Sequence, residues 1–269
     1  MKRYLSVILI FALLVFYFSG LASAQEFNFD RAYSDYLYNY NLYRESHNSY
    51  ITAREAFLKY QTLTSKNEAL GKTREMLNHQ DEVIKTYLTA LKLKLTGISG
   101  LSNDEQHILS LNLDNEITWF GQHQEELNKA GSLEDLVAVA GKSKEQYRKT
   151  EVLIYQTLGA ILAGKETALR EEISQKIKSL KEKVGEIRLK GDKDTSLAER
   201  WLLEAENRLT KSQEKQFAAQ QTLVKLKESS LNKTRIYNEA QSSLEKSHQF
   251  LKEANSYLKE IIRELKHAD

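Results

Sequence analysis

Lys190-Gly191-Asp192-Lys193-Asp194-Thr195-Ser196-Leu197-Ala198-Glu199 is the stretch whose reading decides the fold. Gly191 is the residue type that ends helices, because it enters φ > 0 without a steric penalty. Ser196-Leu197-Ala198-Glu199 has the Ser-x-x-Glu form of a capping box, so a new helix begins a few residues after the old one stops. Two helices separated by one short polar turn fold back on each other.

The sequence on either side fits that fold-back. Beyond the turn, apolar and small residues recur at alternating spacings of four and three: Ala198, Leu202, Ala205, Leu209, Ser212, Gln216, Ala219, Leu223 and Leu226. The repeat keeps one register through Ser230, Lys233, Tyr237, Ala240, Leu244, Ser247, Leu251, Ala254, Leu258, Ile261 and Leu265. Its mean period of about 3.5 residues is that of a left-handed coiled-coil seam. Before the turn the facing set is Leu162, Leu169, Ile173, Ile177, Leu180, Val184 and Ile187. Folding at Lys193 pairs Ile187 with Ala198, Val184 with Leu202, Leu180 with Ala205 and Ile177 with Leu209, so that large side chains mostly meet small ones. The spacing therefore predicts a long antiparallel hairpin over 132–269, with arms of about 133–190 and 197–266 and a turn at 191–196. At 1.5 Å per residue each arm is on the order of 80–100 Å long. The weak point is Ser229-Ser230-Leu231-Asn232-Lys233, where two consecutive seam positions are polar; we expect the helix to continue through it.

Upstream, residues 1–24 read as a secretory signal. Lys2 and Arg3 form the basic start, Leu5 to Phe18 the apolar stretch, and Ala22-Ser23-Ala24 a small-residue cleavage site. The apolar run is shorter than the roughly 20 residues a spanning helix needs, so cleavage after Ala24 is expected rather than retention as an anchor. Residues 25–131 then read as a three-helix part. The first helix, about 29–62, repeats Phe29, Tyr33, Tyr36, Tyr40, Tyr43, His47 and Tyr50, with Phe57 a heptad further on; this spacing favours core packing over an exposed glycan-binding face. Ser65-Lys66-Asn67-Glu68 and Ser102-Asn103-Asp104-Glu105 read as caps for helices at about 66–96 and 103–130. The third helix is read with Ile108, Leu111, Trp119, Phe120 and Leu127 inward, and Ser132-Leu133-Glu134-Asp135 opens the fourth.

Composition agrees with an all-α, elongated bundle in which three shorter helices pack on the base of the hairpin. The 269 residues contain no proline, which helix interiors exclude, and no segment alternates β-branched with polar residues. The absence of cysteine rules out a disulfide framework. There are 39 Lys and Arg against 37 Asp and Glu; loss of Lys2 and Arg3 with the signal leaves 37 of each. A net charge of zero argues against nucleic acid as a partner. The basic residues that do gather, Lys176, Lys178, Lys181, Lys183, Arg188 and Lys190, lie near the hairpin tip and form the candidate interaction surface, facing either solvent or an anionic partner.

Catalytic signatures are missing. No Gly-x-Ser-x-Gly elbow or Gly-rich phosphate loop occurs. Glu245-Lys246-Ser247-His248 has di-iron spacing and Asp104-Glu105-Gln106-His107 an Asp version, but neither has the second motif such a site requires. The turn at 191–196 lacks the glycine and glutamate of a calcium loop. We therefore expect no cofactor and no metal. The reading is an exported, non-enzymatic coiled-coil protein, a spacer or docking module in the cell envelope or outside it. Its expected partners are a protein or envelope component, or a second copy held through the apolar stripe Tyr237–Leu265. The alternative is a membrane-active protein using the apolar segment Val152–Gly164, which is buried by either protein or lipid.

Overall fold

The computed structural model describes residues 28–191 and 194–267, so the signal read at 1–24 lies outside it. The described residues are 90% helical, with six helices and no strand. These are α1 (Phe29–Tyr60), α2 (Leu63–Thr96), α3 (Asn103–Lys129), α4 (Leu133–Lys190), α5 (Ser196–Leu223) and α6 (Lys233–His267).

Local chemistry explains most boundaries. Asn28, Thr62, Ser102 and Ser132 each accept a backbone N–H of the first turn through the side chain, satisfying donors that have no partner within the helix. At α2 the cap is Thr62 rather than Ser65. Ser65 sits three residues inside, where its hydroxyl accepts from the Thr62 N–H and completes a reciprocal box. Gly191 ends α4 at φ 72, the left-handed conformation its missing Cβ permits. At α5, Ser196 is the first helical residue; its N–H is held by the Asp194 carboxylate at 2.9 Å, and the Thr195 hydroxyl reaches Glu199 at 3.0 Å.

Helices α1 and α2 form an antiparallel pair in which Tyr36 meets Tyr87. The inward face of α1 has an aromatic residue every seven positions (Phe29, Tyr36, Tyr43, Tyr50, Phe57), with Ala32, Ser46 and Ala53 buried between them. This corrects the expected stripe: Tyr33 and Tyr40 are 42% exposed, because small residues, not further rings, occupy the other seam position. In α3 the buried line is Leu113, Phe120, His123 and Leu127, whereas Ile108 and Leu111 face outward.

The N-terminal half of α4 packs against α2 and α3, and its C-terminal half against α5 and α6. Between the halves, none of Val152–Gly164 is exposed. Leu153, Ile154, Leu158 and Ile161 join the α2–α3 core, while Ala163 joins Ala219, Ala240 and Leu244. The segment's circumference is covered by protein from two sides, and no described helix is long and apolar enough to cross a membrane. Close approach requires glycine here: a Cβ on Gly100, in the α2–α3 connection, would lie 1.9 Å from the Gly164 carbonyl oxygen.

The expected single arm over 197–266 is not formed. Residues 224–232 leave the helix, and α6 folds back antiparallel on α5 while running alongside α4. Ser212 and Ser247 hydrogen-bond at 2.8 Å, a register that places Ala205 opposite Ala254 and Ala219 opposite Ala240. The apolar stripe Tyr237–Leu265 is thereby covered by the chain's own α5 and α4, with Leu251, Ala254, Leu258 and Ile261 sharing one core with Ile173, Ile177, Leu180, Val184, Ala198, Leu202 and Ala205. The physical reason is that fold-back completes a three-helix core, whereas an unbroken arm leaves half its seam wet.

Two glycine substitutions separate close packing from helix propensity. Gly100→Ala drives a Cβ into the α4 backbone and lowers stability by about 1–3 kcal/mol. Gly121→Ala, inside α3 with nothing within 4 Å, raises it by roughly 0.5–1 kcal/mol. Denaturant unfolding of both variants measures the two signs.

Candidate functional site

The six basic residues of the candidate surface lie on the last four turns of α4, and all are exposed. A helix rises about 1.5 Å per residue, so Lys176 and Lys190 are on the order of 20 Å apart along the arm. They form a line rather than a convergent pocket. Three already engage carboxylates: Lys176 with Glu172 at 2.5 Å, Lys181 with Glu206 at 2.6 Å, and Arg188 with Glu199 at 3.4 Å. The Lys181 and Arg188 pairs cross from α4 to α5, so these cations serve the helix pairing as well as the surface. Beside them a groove of about 390 Å³ is lined by Val184, Gly185, Leu202 and Leu203, bordered by Lys181, Arg188 and Glu199. The arrangement is an amphipathic patch of mixed charge, suited to contact with a protein surface more than to enclosing a small molecule.

Two buried polar clusters were not apparent from the sequence motifs. In the first, Asp81 on α2 and His123 on α3 are each 2% exposed and meet at 2.5 Å between Oδ2 and Nδ1. The other ring nitrogen of His123 lies 2.9 Å from the Val139 carbonyl, and the Ser143 hydroxyl points at Asp81 Oδ1 from 3.5 Å. A carbonyl only accepts, so Nε2 carries a proton; the second proton is shared along the Nδ1–Oδ2 line. Burial by itself disfavours the imidazolium, but the bonds to Asp81 and Val139 outweigh it and lift the His123 pKa above its ordinary value. Burial likewise raises the Asp81 carboxyl, against the pull of His123 and Ser143. The pair therefore holds one proton to higher pH than a free imidazole does. Trp119 stacks on the ring at 5.0 Å between centroids. Although Asp, His and Ser are present, the serine is bonded to the carboxylate and Nε2 is occupied by a backbone carbonyl, which is not the nucleophile–base geometry of acyl transfer. The cluster ties α2, α3 and α4 together.

The second cluster forms a polar layer in the α4–α5–α6 bundle. Glu166 Oε1 lies 3.0 Å from His248 Nδ1, Arg170 donates to Gln216, and Gln216 donates to the Ala163 carbonyl at 3.1 Å and to Thr167 at 2.8 Å. Burial raises the Glu166 carboxyl above the usual range, against the nearby His248 and Arg170 charges. Unlike the first cluster, this one is incompletely satisfied: Glu166 Oε2, Arg170 Nη1 and His248 Nδ1 are buried without a hydrogen-bond partner, the His248 ring approaching Glu166 at ion-pair distance without hydrogen-bond geometry. His248, half of the Glu-x-x-His motif, is thus engaged with α4. Among the described residues no group of three His, Cys, Asp or Glu side chains is placed to hold a metal.

The sequence signal for both clusters was positional. Asp81 shares the inward line of Leu77 and Leu88, His123 that of Phe120 and Leu127, and Gln216 is itself a seam position. A polar residue on an apolar line calls for a partner on the facing helix, but the sequence does not say which one. Compared with protein-family models, with curated proteins and with solved structures, the chain matches none of them.

His123→Phe leaves Asp81 buried without its partner and costs about 3–5 kcal/mol; adding Asp81→Leu recovers most of that loss. In the parent, the raised His123 pKa contributes stability that is fully present below the ordinary value of 6.5 and lost as pH rises through the folded-state pKa. Denaturant unfolding across pH 5–9 follows this slope, which the double variant lacks.

Proposed function

We propose that the chain is an exported, non-enzymatic helical protein that acts as a spacer or docking module in the cell envelope or outside the cell. The observation that supports this best is α4. It is one helix of 58 residues, on the order of 85 Å long at 1.5 Å per residue, and it carries two helical assemblies at its two ends. A stiff element of that length sets a distance between whatever its ends contact. The docking end in this reading is the tip, where Lys178, Lys183 and Lys190 project alongside the exposed Leu189 and Leu203. A protein or an anionic envelope component is the partner this chemistry favours; the balanced net charge disfavours nucleic acid.

The membrane-active alternative requires Val152–Gly164 to leave the helices that enclose it on both sides, exposing Ile161 and Ala163 from two separate cores. Dye-loaded anionic liposomes distinguish the readings. The spacer reading expects no leakage from low to high salt, and leakage at any salt overturns it. Cell fractionation tests export: the protein is expected outside the cytoplasm with Gln25 as its first residue. The triple variant Lys178→Glu, Lys183→Glu, Lys190→Glu is expected to retain the helical content of the parent while its capture by an anionic envelope fraction falls at least about tenfold at low salt.

A further inference from the structure

We infer that α6 exchanges between two copies of this chain, closing on the α4–α5 surface of a partner in the same way as it closes on its own. Three features of the hinge and two of the bundle carry the inference.

First, residues 224–232 contain nothing that forbids a helix. From residue 192 to the C-terminus there is neither glycine nor proline. Among the described residues, only Gln61 and Gly191 have positive φ, so no hinge residue is held in the left-handed region, and Val224 is already helical at φ −60, ψ −22. Second, the seam does not lose register across the break. Leu223, Leu226, Ser230, Lys233 and Tyr237 keep the four-and-three spacing, and Leu226 and Lys233 face inward even in the folded-back form at 3% and 8% exposure. Straightening the hinge thus leaves α5 and α6 as one helix with one seam in continuous register, polar at Ser230 and Lys233 and apolar on either side.

Third, that face is self-complementary. The Ser212–Ser247 bond places the fold point between Ser229 and Ser230, and the Arg208–Glu253 ion pair places it within one residue of that. Two straightened arms lying antiparallel across this point make in trans the α5–α6 contacts that each chain now makes with itself, in an isologous, two-fold arrangement. The exchange then trades no core contact and adds a helical segment. The hinge loop itself is largely exposed: Leu231 is 97% exposed, Val224 74%, and an open groove of about 650 Å³ runs along 230–235 beside Glu151 of α4. The turn is closed by the Ser230 hydroxyl, which accepts from the Lys227 N–H at 3.1 Å and donates to the Lys225 carbonyl at 3.5 Å. Just past it, Lys233 pairs with Glu151 at 3.1 Å and Thr234 meets Tyr155 at 2.9 Å, contacts with α4 that an exchanged segment makes equally on the partner. The polar layer beneath α6, with its partnerless Glu166 and Arg170 atoms, lowers the barrier to release.

The chain has no cysteine, so introduced thiols report without background. Full-length Ser212→Cys and Ser247→Cys chains are mixed, refolded together at high concentration and oxidised. Exchange predicts a disulfide-linked dimer containing one chain of each kind, and little dimer from either variant alone, since identical positions lie far apart in the swapped pair. Adding Ser229→Ala and Ser230→Ala to both chains favours the straight hinge and raises the dimer yield about fivefold or more. Inserting four glycines between Ser229 and Ser230 favours closure within one chain and abolishes the dimer. No mixed dimer at high concentration, equal cross-linking by either variant alone, or a yield indifferent to both hinge changes overturns the inference. The double variant Ser212→Cys/Ser247→Cys, dilute, cross-links within one chain, and failure to do so removes the register on which the inference stands.

Discussion

A helix that is apolar around most of its circumference cannot rest against a single neighbour, and Val152–Gly164 imposes that constraint on the whole molecule. One side is met by α2 and α3, the other by α5 and α6, so the two halves of the fold are two answers to the same thirteen residues. Small residues make both answers compatible. A Cβ on Gly159 would lie 2.4 Å from the Leu223 side chain, and one on Gly164 would lie 2.5 Å from Ile98. Larger residues there would push the two assemblies away from the helix they share, and α4 would lose the coverage that keeps its middle dry.

The two halves treat buried polar groups differently. In the α2–α3–α4 core, Asp81, His123 and Ser143 form a closed set in which one shared proton and a backbone carbonyl satisfy the ring. Such a cluster joins three helices and tolerates little movement. In the α4–α5–α6 bundle the polar layer spans Glu166, Arg170, Gln216 and His248 and leaves three atoms without a hydrogen bond. That half is held by a long, regular seam, and the layer within it fixes register more than it adds stability.

Much of the fold is written in local signals. The helix starts at Ser102 and Ser132 and the stop at Gly191 follow from side-chain chemistry within a few residues, and all-α character follows from the proline-free, periodic composition. The break at 224–232 was legible only as a weak point, the polar seam positions at Ser230 and Lys233, because nothing local enforces it. The seam pattern is the same for a continuous helix as for a folded-back pair, and only the gain from covering that seam within one chain decides between them. The misplaced α1 stripe has a similar origin: tyrosines at three- and four-residue spacing fit two adjacent lines, and Ala32, Ser46 and Ala53 mark the buried one through their small size rather than their polarity. The surface at the α4 tip was located by charge alone, and the carboxylates of α5 that engage two of its cations come from a helix the charge pattern does not identify.

The α1 heptad has a further implication for alignment. A ring every seven residues, with small side chains between, looks the same after a slide of one heptad, so the pattern itself is degenerate with respect to translation along α2. What removes the degeneracy is the connection at Gln61 and Thr62, only two residues long. Gln61 takes the left-handed conformation at φ 50 and Thr62 immediately caps α2, leaving no slack for a slide. Alignment of the longest aromatic face in the molecule is thus decided at one end by the shortness of a turn, as a zipper's teeth are aligned by its stop.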